Sequence, residues 1–179
     1  MSVEALKTIP EEEVWLASRK SARTRRAYRT DVAHFMRETY RNFVRQNTHR
    51  FAEFFGHLLE SGEPTVFHCT AGKDRTGFAA ALVLRALDQP EDVVMRDYLL
   101  TNERLAMPPV SRHGLPDEVM AVLWRVQPGF LQAAFEEVDA AYGSVDAYLR
   151  EGLAVRDAER ERLRSLYLGY ESGAPEILK

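Results

Sequence analysis

The segment His68–Gly77, with the sequence HCTAGKDRTG, constrains the fold of this chain more than any other part. The preceding run Pro64–Cys69 predicts a short buried strand, and the following Phe78–Leu87 is apolar nearly all round, as in a helix buried in the core. Between such elements, consecutive backbone N–H groups can point at one oxyanion, and the helix N-terminus adds positive potential. The segment therefore predicts an anion-binding loop at the start of a buried helix.

Two side chains give this loop its chemistry. Five residues separate Cys69, which is the only cysteine of the chain, from Arg75. A guanidinium offers a planar fork that can hold two phosphate oxygens. The same positive field favours the thiolate, which would make Cys69 a nucleophile near neutral pH. A lone cysteine is more often a small buried apolar side chain, but the neighbouring glycines and charges favour the nucleophile.

The pattern HCxxGxxRTG resembles the signature loop of the cysteine-dependent protein tyrosine phosphatases. The inner residues Ala71–Arg75 resemble the atypical bacterial branch of that family, which has dual-specificity and lipid-phosphatase character. The likeness continues through Asp97–Asn102 and Tyr142–Leu149, and covers about residues 36–169. It implies an α/β class in which a predominantly helical remnant of the cysteine-phosphatase fold keeps one clear strand before the loop. The N-terminal part of the sheet is expected to be missing.

The resemblance also implies roles for individual residues. Cys69 would attack phosphorus to form a phosphocysteine, and Arg75 would hold the phosphate oxygens. The further phosphate-binding residues would be Thr70, Ala71, Gly72, Lys73 and Asp74. His68 would tune the thiolate or merely end the strand. Thr76 would donate its hydroxyl to the sulfur or instead cap the helix.

Two charged loop residues each allow two interpretations. Asp74 is our candidate general acid, because the only aspartate upstream of the loop, Asp31, lies in a basic helical segment. A carboxylate there would equally stabilise the helix dipole and orient Arg75. Lys73 would be a second cation that suits phosphoinositides, or simply a solvated surface lysine. Neither a cofactor nor a metal is expected, since the five histidines lack ligand spacing.

The beginning of the chain suggests a different family. Residues 8–36 resemble the first helices of the core-binding domain of tyrosine recombinases, and Arg19–Arg29 holds six basic residues and no acidic one. We therefore divide the chain into a helical N-terminal segment, 1–36, and a phosphatase-like domain, 37–179. The single expected strand would need a partner, which could come from Val3–Trp15, from a second chain in a homodimer, or from surrounding helices.

Length and composition limit the number of domains, the classes of partner and the expected location of the protein. The length of 179 residues suits one core, and a net charge of −3 with a pI near 6.0 makes nucleic acid an unlikely partner. No apolar stretch approaches the ~20 residues that a transmembrane helix needs, and no signal pattern is present, so we expect a cytoplasmic protein. Its substrate would be a phosphorylated protein or a phosphoinositide. The alternative is a phosphate-binding module with weak or no catalysis.

Overall fold

The computed structural model describes residues 21–61, 63–106 and 122–169. These residues are predominantly helical, as expected. The helices are α1 (Ala22–Ser61), α2 (Asp74–Ala86), α3 (Glu91–Arg104), α4 (Pro128–Tyr142), α5 (Val145–Ala147), which continues into a π-helical turn (Tyr148–Gly152), and α6 (Asp157–Leu168).

The long helix α1 forms one side of the core. Its apolar residues recur every three or four positions, so they share one face, and that face is buried and packs along α4. The buried members of this stripe are Met36, Tyr40, Phe43, Val44, Phe51, Phe55 and Leu58. In the sequence, the apolar residues from Tyr40 onward recur at threes and fours, which predicts one buried helix face, and the structure confirms this prediction. The proposed domain boundary after Met36 falls inside this continuous helix, and the division into two domains stays a prediction.

Helix α2 is buried in the centre of the protein, as its apolar sequence predicts. Phe78 is fully buried and packs on two rings of α1, with centroid distances of 5.9 Å to Phe43 and 5.1 Å to Phe51. Such offset and edge contacts add to the free energy gained from burial alone. They fix the N-terminal end of α2, and with it the loop that precedes it.

The strand expected before the loop is not formed. Residues 64–69 carry neither helix nor strand, and Val66 is 92% exposed. A strand is defined by hydrogen bonds to a neighbour, and the described ranges contain no strand that could pair with this segment. Instead, Phe67 packs on Phe54 of α1 with a centroid distance of 4.8 Å. Of the partners considered above, residues 3–15 lie outside the described part.

The C-terminal elements follow the local signals of the sequence. Pro128 begins α4, where its missing N–H costs nothing. Gly143 ends that helix with φ of +83°, and the Ser144 hydroxyl then accepts a hydrogen bond from the Ala147 N–H at 3.1 Å. The sequence at 107–116 is a Pro/Gly-rich break that would suit either a lid or a connector, and it lies outside the described residues. Among the helices of the described ranges, none is both long and apolar enough to cross a membrane.

Candidate active site

The loop between residue 68 and helix α2 turns back on itself around Gly72. This residue has φ of +64°, a conformation that glycine adopts without steric cost, and its N–H donates to the Cys69 carbonyl at 3.3 Å. The Gly77 N–H then donates to the Lys73 carbonyl at 2.8 Å, which closes the first helical turn. The tight turn that the sequence predicts before a buried helix is therefore present, and anion binding by this loop stays a prediction.

Cys69 is half-buried within this loop, and its surroundings favour the thiolate. Burial alone raises the pKa of the thiol, because it removes water from the charged form. Hydrogen bonds from the Thr76 hydroxyl and from the backbone N–H groups of Thr76, Lys73 and Ala71 outweigh burial and lower the pKa to about 6. Near neutral pH the sulfur is therefore mostly ionised, as a nucleophile requires.

Thr76 contacts the cysteine from within the first turn of α2. The residue at the N-cap of the helix is Lys73 and not Thr76. The Thr76 hydroxyl accepts a hydrogen bond from the Cys69 N–H at 3.0 Å, and it lowers the pKa of the Cys69 thiol. These observations favour the interpretation in which Thr76 supports the sulfur, and that role stays a prediction.

Replacing Thr76 by valine is expected to make the cysteine less reactive in weak acid. Losing a donor destabilises the thiolate, so the thiol pKa should rise from about 6 by about one unit, given the strength of a hydrogen bond to a charged group. The measurement is the rate of Cys69 alkylation by iodoacetamide as a function of pH. Thr76→Ser keeps the hydroxyl and should leave the midpoint nearly unchanged, whereas equal midpoints for all three proteins would contradict this role.

Arg75 is exposed, and its side chain forms a hydrogen bond within the loop. Its Nη2 donates to the Thr70 Oγ1 at 3.1 Å, so the guanidinium reaches across the turn to the residue after the cysteine. Both Cys69 and Arg75 line a cavity of about 240 Å³, whose wall includes the rings of Phe54 and Phe67. Cys69 and Arg75 therefore border the same cavity, which aromatic rings bound on one side.

His68 is exposed and contacts the loop only weakly. Its Nδ1 lies 3.3 Å from the Cys69 carbonyl oxygen, and the residue also lines the cavity. This contact agrees with hydrogen bonding to the loop backbone, one of the two interpretations drawn from the sequence. A role for His68 in tuning the thiolate stays a prediction.

Lys73 is not the solvated surface lysine that the sequence allowed. It is buried, with 3% of its surface exposed, and its ammonium donates to the Leu123 carbonyl at 2.6 Å. The same nitrogen lies 3.1 Å from the Asp74 Oδ1. A buried ammonium needs such partners, because an unpaired charge in the interior is costly. Its charge is held beside Asp74, and a contact with a substrate phosphate stays a prediction.

Asp74 is held by two further residues that sequence reasoning missed as site residues. The Tyr40 hydroxyl donates to the Asp74 Oδ1 at 2.9 Å, and the Tyr98 hydroxyl lies 2.6 Å from that of Tyr40. Burial, together with the neighbouring Tyr98 and Asp74, raises the pKa of Tyr40 far above its usual range, so this phenol stays a donor. No local pattern identifies these tyrosines, because α1, α2 and α3 meet only in the fold.

Tyr98 also limits what can occupy the start of α2. A Cβ atom on Gly77 would lie 3.0 Å from the Cδ2 and Cε2 atoms of the buried Tyr98 ring. We expect Gly77→Ala to lower the free energy of unfolding by about 1–3 kcal/mol, the usual cost of overpacking. Gly56→Ala is the matched control, because its Cβ meets nothing within 4 Å inside α1 and should stabilise by about 0.5–1 kcal/mol. Urea unfolding measures both, and equal effects would contradict the close contact.

The described residues contain no group of three or more histidine, cysteine, aspartate or glutamate side chains placed to hold a metal ion. The positive groups of the loop itself are the Arg75 guanidinium, the Lys73 ammonium and the backbone N–H groups. Binding of a phosphoryl group by the Arg75 guanidinium and these N–H groups stays a prediction, and the Lys73 ammonium is already paired with the Leu123 carbonyl and Asp74.

Known proteins that are similar to this chain in sequence are named as phosphatases. A Cupriavidus necator protein named as a tyrosine-protein phosphatase is 40% identical over 140 residues, which are 75% of this chain and 50% of that protein. The triple specificity protein phosphatase PtpB of Mycobacterium tuberculosis is 33% identical over 153 residues, 75% of this chain and 55% of that protein. A tyrosine-protein phosphatase of Nostoc commune is 24% identical over 139 residues, 71% of this chain and 47% of that protein. The chain thus spans about half the length of these relatives.

The family itself is identified by a match over nearly the whole chain. Residues 3–169 match the sequence profile of the tyrosine phosphatase family. This range includes residues 8–36, whose resemblance to tyrosine recombinases stays a prediction. The loop that carries Cys69 and Arg75 lies well inside the matched range. The chain belongs to the tyrosine phosphatase family.

Proposed function

We propose that this protein is a cysteine-dependent phosphatase that hydrolyses phosphate monoesters through a phosphocysteine intermediate. The observation that carries the proposal is the environment of Cys69, where loop and hydroxyl donors lower the thiol pKa to about 6 despite partial burial. An inert structural cysteine needs no such donors. The Arg75 guanidinium, bonded to Thr70 at 3.1 Å, supplies the phosphate-binding fork beside the sulfur.

The reaction proceeds in two displacements. The Cys69 thiolate forms a bond to phosphorus, the bond from phosphorus to the ester oxygen breaks, and its electron pair leaves with that oxygen. Asp74, as the carboxylic acid, gives its proton to the leaving oxygen. Arg75 and the loop N–H groups hold the equatorial oxygens. Water then attacks phosphorus, Asp74 takes back a proton, and the sulfur leaves as the thiolate.

The favoured substrate is a phosphotyrosine ester. The cavity beside Cys69 is walled by aromatic rings, among them Phe54 and Phe67, which suit an aryl leaving group. Relatives named as tyrosine-protein and triple specificity phosphatases support the same class. Phosphoserine, phosphothreonine and phosphoinositides are further candidates, since the loop has the features of the atypical bacterial branch.

Metal-free hydrolysis of 4-nitrophenyl phosphate tests the proposal. Turnover should persist with a chelator and should fall when orthovanadate competes for the loop. The alternative is a phosphate-binding module with weak or no catalysis, which the absence of a strand at residues 64–69 before the loop favours. A folded protein that binds tungstate but hydrolyses no aryl phosphate would favour that alternative.

The proposed chemistry also bears on the cellular compartment, and the exposed segment before the loop bears on the oligomeric state. A catalytic thiol needs a reducing compartment, so we propose a cytoplasmic location. A homodimer that pairs the segment around the exposed Val66 also remains part of the proposal. Sedimentation equilibrium distinguishes a monomer from a dimer directly.

A further inference from the structure

A chain of hydrogen bonds links the loop aspartate to two buried tyrosines on different helices. Tyr40 of α1 donates to the Asp74 Oδ1, so its own hydrogen is committed to the carboxyl group. The 2.6 Å contact between the tyrosine oxygens must then use the hydrogen of Tyr98. The order of donation is therefore from Tyr98 to Tyr40 to Asp74.

These two hydroxyl groups are not explained by packing. Tyr40 is fully buried among aromatic rings, with centroid distances of 5.0 Å to Phe43 and 5.8 Å to Phe130. A phenylalanine would fill the same space without burying an oxygen, and a buried hydroxyl costs free energy unless it is hydrogen-bonded. The partners of the Tyr40 hydroxyl are Asp74 and Tyr98.

The network acts on one oxygen of the carboxyl group only. The Asp74 Oδ1 accepts from the Tyr40 hydroxyl at 2.9 Å and lies 3.1 Å from the Lys73 ammonium. In the described part of the chain, no hydrogen bond to the Asp74 Oδ2 is found. An oxygen that already faces two donors cannot readily carry a proton as well. In the acid form, the proton therefore belongs on Oδ2.

We propose that Tyr40 is a positioning residue that fixes the orientation of Asp74 as the general acid. Tyr98 in turn holds the Tyr40 hydroxyl through the hydrogen bond between the two phenols. The inference rests on the proposed function and adds to it the residues that place the proton. With Oδ1 anchored, only Oδ2 can deliver its proton to the ester oxygen as the bond to phosphorus breaks. Without Tyr40, the carboxyl group could rotate and present the wrong oxygen.

The test compares two esters that differ in their need for an acid. Nitrophenolate leaves readily without a proton, whereas the more basic phenolate of phenyl phosphate depends on protonation. Tyr40→Phe should therefore lower kcat/KM for phenyl phosphate about tenfold, as expected for the loss of one buried hydrogen bond. For 4-nitrophenyl phosphate, the kcat/KM of this variant should stay within about twofold of the wild-type value. Tyr98→Phe should show the same selectivity with a smaller loss.

Tyr148→Phe is the matched control. Tyr148 is equally buried, and its hydroxyl lies 3.1 Å from the Thr48 Oγ1, away from the loop. It should affect both esters equally or not at all. In the Asp74→Asn background, adding Tyr40→Phe should cause no further selective loss, because Tyr40 acts through Asp74.

Each outcome separates this inference from the proposed function. A wild-type protein without Cys69-dependent turnover of either ester would remove the proposed function itself. Two results with an active wild type would overturn the inference alone. In one, Tyr40→Phe loses the same activity toward both esters. In the other, Tyr40→Phe causes a selective loss that persists in the Asp74→Asn background. If Tyr40→Phe does not fold, Tyr98→Phe decides, because it removes the support while leaving the Tyr40 bond to Asp74.

Discussion

Replacing Cys69 by serine should reduce phosphate-ester hydrolysis by about 10⁴-fold or more, the scale seen when a covalent nucleophile is lost. The loop lowers the pKa of the thiol to about 6, so the sulfur is ionised at neutral pH. A serine hydroxyl in the same place keeps its proton and is a far weaker nucleophile. The bond to the Thr76 Oγ1 comes from the backbone N–H of residue 69, so the substitution should preserve the loop.

Hydrolysis of 4-nitrophenyl phosphate and binding of tungstate together test this prediction. The serine variant should lose turnover but still bind tungstate, since Arg75 and the loop N–H groups remain. A second protein, with Cys69→Ser and Ser165→Cys, restores a thiol on the exposed surface of α6. It should stay inactive, because the reactivity belongs to the loop and not to a thiol in general. Turnover that survives Cys69→Ser would contradict the mechanism.

Replacing Arg75 by alanine should lower kcat/KM by about 10³-fold, comparable to losing a main oxyanion donor. In the proposed mechanism the guanidinium would hold the phosphate oxygens in the ground state and in the transition state, so tungstate binding should weaken as well. Its hydrogen bond to the Thr70 Oγ1 would also be lost. Arg75→Lys keeps the charge without the planar fork, and we expect an intermediate loss.

Steady-state kinetics and tungstate titration measure both effects of the Arg75 variants. Arg96→Ala is the matched control, because Arg96 is an exposed arginine of α3 that pairs with Asp92 at 3.1 Å. It should stay within about twofold of wild type, since exposed pairs contribute little. Equal losses in Arg75→Ala and Arg96→Ala would indicate a general effect of charge rather than a specific phosphate contact.

The parts of this fold that sequence predicts well are those decided by neighbours along the chain. The Gly72 turn, the start of α2 and the Ser144 cap follow from residues a few positions apart. The burial of α2 follows from its apolar sequence. In each case a local steric or hydrogen-bonding requirement selects the residue type.

The features that the sequence did not predict depend on contacts between segments that are distant along the chain. The segment 64–69 has the composition of a strand, but a strand forms only when another segment pairs with it. Lys73 can be buried because its ammonium donates a hydrogen bond to the Leu123 carbonyl, fifty residues away. The tyrosines that hold Asp74 come from α1 and α3. Such partners leave no periodic or spacing signal, so inspecting the loop alone could not identify them.

The most direct test of the central claim is to look for phosphate on Cys69 during turnover. The Asp74→Asn variant should accumulate the phosphocysteine intermediate with 4-nitrophenyl phosphate. Nitrophenolate can leave without a general acid, whereas the water that hydrolyses the intermediate has lost its general base. Rapid quenching and peptide mass spectrometry should find one added PO₃ group on the peptide that contains Cys69, absent in the serine variant. Steady hydrolysis with no phosphate on Cys69 at any quench time would contradict a phosphocysteine mechanism.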